Sequence, residues 1–388
     1  MKLTAVAVAL TTGCNLRCSY CYQRRSAAQR MPWTVLRAAC DYLLAAGAAE
    51  PTLTFLGGEP LLELPLMRRA ARHLARRAPP GMRPRLAVTT NGTRIDGRAL
   101  RFLALSRVRT YLSLDGVEAA QQRRGEGTFA VLDALLRRMR RDYSGYFGDD
   151  VTVAVTLTAA NVPHLAETVR YLLEREVSTF VVSPVVTHDP EWTDAGVAAL
   201  DRQLGEAAGL CREHLQATGK LSFFNLRRTA LARGRRRRDI AMCRIADGHA
   251  LLVDVDGQAV ACGVLAPSYS RLPTELAQRA AAAVRLGAIS DPDLPRRLAS
   301  CRERLSALGL FDGKERKRSR YGTCGACRCM HECQVCPLSI ASQPGNEDPD
   351  AVPPLPCAFN LLVAKHRRRF QESARLKTAA AVGDPRGR

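Results

Sequence analysis

Cys14, Cys18 and Cys21 stand at C-x3-C-x2-C spacing near the start of a 388-residue chain, close enough for three thiolates to chelate one metal centre. A 4Fe-4S cube has four irons, so three cysteines leave one iron open to a ligand carrying an amine and a carboxylate. A structural zinc would ask for a fourth Cys or His nearby. A second group lies toward the C-terminus. It reads Cys243, thirteen residues, Gly257, four residues, Cys262, then Cys324-x2-Cys327-x5-Cys333-x2-Cys336, and finally Cys357. On spacing alone these pairs also suit a zinc ribbon; the N-terminal triplet turns them toward iron-sulfur.

The chain has fourteen cysteines in all, with none between Cys40 and Cys211. That clustering differs from a secreted disulfide framework, which spreads cysteines through a short domain. Cys40 and Cys211 fall on apolar helix faces, where cysteine is a small hydrophobe. Cys301 is ambiguous, and Cys329 sits inside the Cys327-x5-Cys333 loop as a spare ligand. Other residues able to do chemistry are Gly57-Gly58-Glu59-Pro60, Asn91, Ser113 and Asp115. The missing Cβ atoms of Gly57 and Gly58 let backbone approach a ligand, and the Glu59 carboxylate suits an ammonium. Each of these segments also reads as ordinary turn chemistry.

Composition is globular, at 46% hydrophobic and 5% aromatic, and no apolar run is long enough to span a bilayer. Residues 2–14 resemble a short lipoprotein signal, but Cys14 is followed at once by Cys18 and Cys21, which a strand entering a metal loop explains better. The formal charge of +21 points to acidic partners. The densest run, Arg233 with Arg235 to Arg238, reads as a linker or an acidic-substrate contact. It does not read as a nucleic-acid site, because aromatics for base stacking are scarce.

To present these residues together, the chain must build a scaffold. From residue 3 to about 215, β-branched runs alternate with amphipathic helices, the pattern of parallel βα units. Expected strands are 3–10, 52–56, 86–89, 110–114, 151–157 and 179–182; expected helices include 34–46, 65–77, 128–141, 162–174 and 194–217. Six such units predict a partial (β/α)6 TIM-type barrel in an α/β fold, followed by a small loop-rich iron-sulfur domain. In barrels of this kind chemistry sits where strands end. Here those ends read Thr-Thr-Gly-Cys (11–14), Gly-Gly-Glu-Pro (57–60), Thr-Thr-Asn-Gly (89–92), Ser-Leu-Asp-Gly (113–116) and Ser-Pro (183–184). The expected domains are a barrel at 1–217, a basic linker at 218–242, a cluster domain of little regular structure at 243–366 and a fraying basic tail at 367–388.

The Cys14-Cys18-Cys21 motif, with aromatic Tyr20 before its last cysteine, resembles the radical S-adenosylmethionine (radical SAM) superfamily. The C-terminal cysteines resemble the SPASM domain of peptide and protein maturases; the usual last spacing there is three residues, whereas Gln334-Val335 makes it two. The resemblance implies S-adenosylmethionine and three 4Fe-4S clusters as cofactors. It places Gly57, Gly58 and Glu59 near the methionyl amine, and Asn91, Ser113 and Asp115 in the pocket with Ser113 toward the ribose. The methionyl carboxylate falls to Arg123 or Arg124, with Arg124 preferred; Gln121 stands where a histidine is frequent. By the family's crossed arrangement, Cys324, Cys327, Cys333 and Cys357 form a complete cluster, and Cys243, Cys262 and Cys336 an incomplete one; its fourth position is open to substrate or taken by a nearby side chain such as His249. No catalytic side chain is assigned beyond the first cluster and S-adenosylmethionine.

The implied reaction is reductive cleavage of S-adenosylmethionine to a 5'-deoxyadenosyl radical, which takes a hydrogen from a ribosomal peptide or protein side chain. A small-molecule dehydrogenase is the alternative, and a non-catalytic iron-sulfur electron-transfer protein the alternative of another class. Gly263 stands where sulfatase-maturing relatives carry an aspartate base, which argues against that activity. The expected partners are a flavodoxin- or ferredoxin-type one-electron reductant and the peptide, in the cytoplasm and without membrane. Because the sequence opens on the first strand, a separate recognition protein, or a substrate without a leader, is expected.

Overall fold

The computed structural model describes residues 3–23, 27–227, 248–268, 271–310, 313–330, 332–333 and 335–382. The arginine run 233–238, Cys243, Gln334 and most of the expected linker lie outside them. Strands and helices alternate as β1 (Ala5–Ala9), α1 (Trp33–Ala45), β2 (Thr52–Leu56), α2 (Leu64–Arg77), β3 (Arg85–Thr90), α3 (Gly97–Leu105), β4 (Arg109–Ser113), α4 (Glu118–Gln121), α5 (Thr128–Asp142), α6 (Ser144–Asp150), β5 (Val151–Leu157), α7 (Leu165–Glu174), β6 (Phe180–Pro184) and α8 (Asp194–Thr218). Strands β1 to β6 lie side by side in sequence order, all parallel, which is the expected (β/α)6 arrangement.

Alternation within the strands decides which face meets the helices. In β5, Val151, Val153, Val155 and Leu157 are buried, while Thr152, Ala154 and Thr156 are half-buried. The large apolar set, with Val6, Val8, Leu53, Phe55 and Leu112, shares one core with Leu36, Met67, Leu103, Leu132 and Leu172 of the helices. The other face carries small and hydroxyl side chains, which leaves space at the strand ends. Helix boundaries are set locally. Asp96 accepts from Ala99 N–H at 2.8 Å to start α3, and Gly219, at φ 71°, closes α8 in the left-handed region.

The sheet continues past the barrel. Strand β7 (Ala250–Val253) pairs in parallel with β1, and β8 (Gln258–Val260) and β9 (Arg285–Ala288) follow antiparallel, giving the order β6-β5-β4-β3-β2-β1-β7-β8-β9. The region also holds α9 (Glu275–Ala283), α10 (Leu294–Ala299), α11 (Cys301–Ser306), the hairpin β10 (Arg318–Ser319) and β11 (Gly322–Thr323), α12 (Pro337–Ala341) and α13 (Pro354–Val382). The cysteine-rich segment, expected to carry little regular structure, therefore extends the main sheet. Lys317 is wholly buried; its ammonium donates to the carbonyls of Gly309 at 3.0 Å and Pro349 at 2.8 Å and to Asp350 at 3.3 Å, tying loops around the second cysteine group.

Residues 367–382, expected as a fraying tail, continue helix α13. The docking of its preceding turns on α8 accounts for this: Asp201 accepts from Lys365 Nζ at 2.6 Å and pairs with His366 Nε2 at 2.7 Å, while Arg367 pairs with Glu332. Burial raises the Asp201 pKa, but its bonds to Lys365 and His366 outweigh that and hold it below the ordinary value. A depressed carboxyl stabilises the fold above its unfolded pKa of about 3.9 and stops doing so as pH falls through the lower folded value. Asp201→Asn is expected to cost about 1 kcal/mol at pH 7, read from the urea midpoint, with the gap to wild type closing below about pH 4. An equal gap at pH 3 and pH 7 would contradict this.

Candidate functional site

The loop after β1 is held by backbone. Gly58 N–H donates to Thr11 O at 2.8 Å, Glu59 N–H to Gly13 O at 2.9 Å, and Thr12 N–H to Gln29 O at 3.1 Å. A Cβ on Gly58 would stand 2.1 Å from Gly13 O, and one on Gly57, at φ 135°, would stand 2.4 Å from Thr11 O. The close approach that these glycines permit is thus first of all to the cysteine loop. Asn91, at the end of β3, donates to Asn15 Oδ1 at 3.0 Å and reaches Cys14 Sγ at 3.8 Å, and Asn15 donates to Thr93 Oγ1 at 2.8 Å. Asn15 and Thr93 were absent from the sequence reading; a polar residue directly after Cys14 was the available signal.

The result is a cavity of about 330 Å³ whose wall includes Cys14, Cys18, Cys21, Tyr20, Gly57, Gly58, Asn91, Ser113 and Arg124. Thr156 and Ser183, from the small-residue face of β5 and β6, complete it. Two expected residues are not on this wall. Glu59 is fully buried and accepts from Leu61 N–H at 3.0 Å, the Thr90 hydroxyl at 2.7 Å and Asn91 N–H at 2.8 Å. With these three donors, its carboxylate fixes the end of β3 from behind the wall. Asp115, also buried, stands behind the wall, accepting from the Tyr20 hydroxyl, from Arg124 Nη2 at 2.8 Å and from Thr156 N–H at 2.9 Å.

Asp115 aims Arg124 into the cavity. Arg124 also donates to Thr156 Oγ1 at 3.2 Å and lies over the Tyr20 ring at 5.5 Å. Its Nε is buried beyond the reach of solvent and has no hydrogen-bond partner; what the residue brings to the cavity wall is a cation of the kind a ligand carboxylate pairs with. Burial disfavours its charge, but the Asp115 carboxylate, with Tyr20 and Cys18, outweighs that and keeps its pKa above the ordinary value. Arg123, the other candidate, instead holds exposed Glu191 at 2.5 and 2.6 Å. Gln121 is buried and accepts from Asp115 N–H at 2.8 Å, a structural duty. Burial pushes the Cys18 thiol up to about 11 against the pull of Arg124, so its proton leaves readily only when a metal takes the sulfur. Three cysteines and a cationic arginine in one lining fit, in residue type, a three-thiolate cluster with a ligand that carries a carboxylate.

A second cavity, of about 470 Å³, is bordered by Cys324, Cys327, Cys333 and Cys357, with Cys329 as a fifth thiol; Cys336 is not on its wall. Ser319 Oγ lies 3.0 Å from Cys357 Sγ, and Lys314 Nζ donates to the carbonyls of Met330 and Cys333, the latter at 2.6 Å. Arg368 reaches Cys329 Sγ at 3.5 Å. Cys262 follows β8 and lies near enough to the Tyr22 phenol that, after burial, it and Cys21 raise that group's pKa. His249 sits at the start of β7, where its carbonyl accepts from Thr4 N–H at 2.9 Å. Cys40 and Cys211 are buried in the core, as read from the sequence, and so is Cys301, which the sequence left ambiguous.

A partial barrel of parallel strands with a three-cysteine loop at the strand ends defines a class of cluster-bearing α/β domain. Residues 8–172 match the Radical SAM superfamily, and the chain carries a radical SAM domain. It spans about half the length of the curated relatives it matches at greatest extent. It is 28% identical over 167 residues to an uncharacterized protein of Methanocaldococcus jannaschii, covering 42% of this chain and 56% of that one. It is 29% identical over 189 residues to the GTP 3',8-cyclase of Synechococcus elongatus, covering 47% and 55%. Among solved structures, native anSMEcpe with bound AdoMet and the Kp18Cys peptide superposes at TM-score 0.72 over 96% of this chain and 99% of that one, at 16% identity. Streptococcus suis SuiB bound to its precursor peptide SuiA gives 0.58 over 92% and 76%, at 14% identity. At such identities the likeness is one of fold. Among the described residues, no helix is long and apolar enough to cross a membrane.

Proposed function

We propose that this protein is a radical SAM maturase that abstracts a hydrogen from a ribosomal peptide or protein side chain, to oxidise or cross-link it. The observation that carries the reading is the first cavity, whose lining brings three cysteines together with the cationic side chain of Arg124. When bound there, a 4Fe-4S cluster and S-adenosylmethionine would supply the reductive cleavage that yields the 5'-deoxyadenosyl radical. The chain's own part is positioning. Cys14, Cys18 and Cys21 hold the cluster, Arg124 takes the methionyl carboxylate, and Ser113 takes the ribose. Tyr20 and Asp115 fix the guanidinium, and Gly57 and Gly58 seat the cysteine loop. The barrel walls keep water from the reacting bond.

A peptide substrate is favoured because the fold likeness to a structure holding AdoMet and a peptide runs through nearly the whole chain, whereas the identity to GTP 3',8-cyclases reaches at most about half of it. The C-terminal region is read as a SPASM domain with two auxiliary clusters. One is held by Cys324, Cys327, Cys333 and Cys357; the other by Cys262, Cys336 and Cys243, which lies outside the described residues. Gly263 speaks against the sulfatase-type activity. We place the protein in the cytoplasm, where thiolate-held clusters survive, with a flavodoxin- or ferredoxin-type donor.

Anaerobically reconstituted and reduced protein is expected to convert S-adenosylmethionine to methionine and 5'-deoxyadenosine. It should also approach about twelve irons per chain, as three clusters of four. Saturation near four irons with zinc in the remainder, or iron without either product, would sink the reading and favour a zinc-ribbon or electron-transfer protein.

A further inference from the structure

The second cavity has a charge pattern that the proposed function does not use. Its wall carries Lys314, Arg328, Lys365 and Arg368, and no carboxylate is among the described residues that border it. These cations differ in what they can do. Arg328 is exposed, so water screens it, and Lys365 is neutralised by Asp201 at 2.6 Å. Lys314 and Arg368 are half-buried. Lys314 has two backbone carbonyls as acceptors, one of them that of Cys333, so its charge faces the thiols with no carboxylate against it. Ser319 adds a hydroxyl 3.0 Å from Cys357 Sγ.

We propose that Lys314, assisted by Arg368, is a positioning residue that raises the reduction potential of the cluster held by Cys324, Cys327, Cys333 and Cys357. The inference rests on the auxiliary-cluster reading of this cavity. Adding one electron makes a thiolate-held cluster more negative, and a fixed cation within the same low-dielectric cavity favours that state over the oxidised one. Net charge and hydrogen bonds to sulfur are among the levers a protein has on such a couple. No proton or substrate bond enters the step: the cluster takes one electron, and in the experiment dithionite gives it.

The test uses the full chain with Cys14, Cys18, Cys21 and Cys262 changed to alanine, so that this cluster titrates alone. Its potential is followed by electron paramagnetic resonance against dithionite in the presence of mediators. Lys314→Met in that background is expected to lower the ratio of reduced to oxidised cluster at fixed potential about tenfold, a shift of about 59 mV for one electron. Lys314→Arg should restore the potential, and Arg368→Met should lower it by less. An unshifted signal in Lys314→Met overturns the inference. If that variant loses its cluster, Arg368→Met decides, and an unshifted potential there overturns it. Absence of any four-iron signal in the parent quadruple variant would instead sink the auxiliary-cluster reading on which the inference stands.

Discussion

Replacing Cys14, Cys18 and Cys21 together by alanine is expected to abolish 5'-deoxyadenosine formation while leaving the auxiliary iron in place. All three thiolates are needed to hold a cube with one iron open, and among the described residues no other thiol is on that cavity's wall. The loop should keep its shape, because it is fixed by the backbone bonds from Gly58 to Thr11, Glu59 to Gly13 and Thr12 to Gln29, none of which involves sulfur. Iron should fall by about four of about twelve per chain, with the circular dichroism spectrum unchanged. Retained deoxyadenosine in the triple variant would refute the assignment. Loss of all iron would show that the two cysteine groups assemble together.

The second large effect is at Arg124. Arg124→Met is expected to weaken S-adenosylmethionine binding about a hundredfold, since charge-assisted bonds to a carboxylate contribute about 1.5–3 kcal/mol and each 1.4 kcal/mol is tenfold. Arg124→Lys keeps the charge but not the fork, and should lose about tenfold. The substitution also strips buried Asp115 of its cation, which threatens folding. Binding is therefore measured by equilibrium dialysis on folded, iron-loaded protein, with its melting temperature alongside. Unchanged affinity in Arg124→Met would remove this residue from the carboxylate role. Arg123→Met, which loses only the exposed pair with Glu191, should bind as wild type does.

Much of the barrel was legible because strand and helix periods are local signals. The six expected strands fall within two residues of those observed, and the strand ends that carry Cys14, Gly57, Asn91 and Ser113 converge on one cavity. What stayed hidden depends on partners far apart in the chain. Nothing near Glu59 shows that Thr90 and Asn91 will occupy its carboxylate. Nothing near Asp115 shows that Tyr20 and Arg124 will both converge on it. The tail was read as frayed because its charge is local, whereas Asp201, which anchors the same helix, lies 164 residues from Lys365. The parallel pairing of β7 on β1 has the same character, as no periodicity near Ala250 names its neighbour.

That pairing has a bearing on synthesis. Thr4 reaches its partner His249 across 245 residues, so β1 leaves the ribosome long before the strand that closes its second edge. At about 5–20 residues per second the wait is about 12–50 s. During it, β1 keeps one edge unpaired, and the cysteine loop hangs from a strand held only by β2. An open apolar edge of this kind is a template for association between nascent chains. Yield in a host that translates faster should improve, and truncation before Ala250, which removes β7, should leave an aggregation-prone barrel even though every residue matched to the Radical SAM superfamily is present.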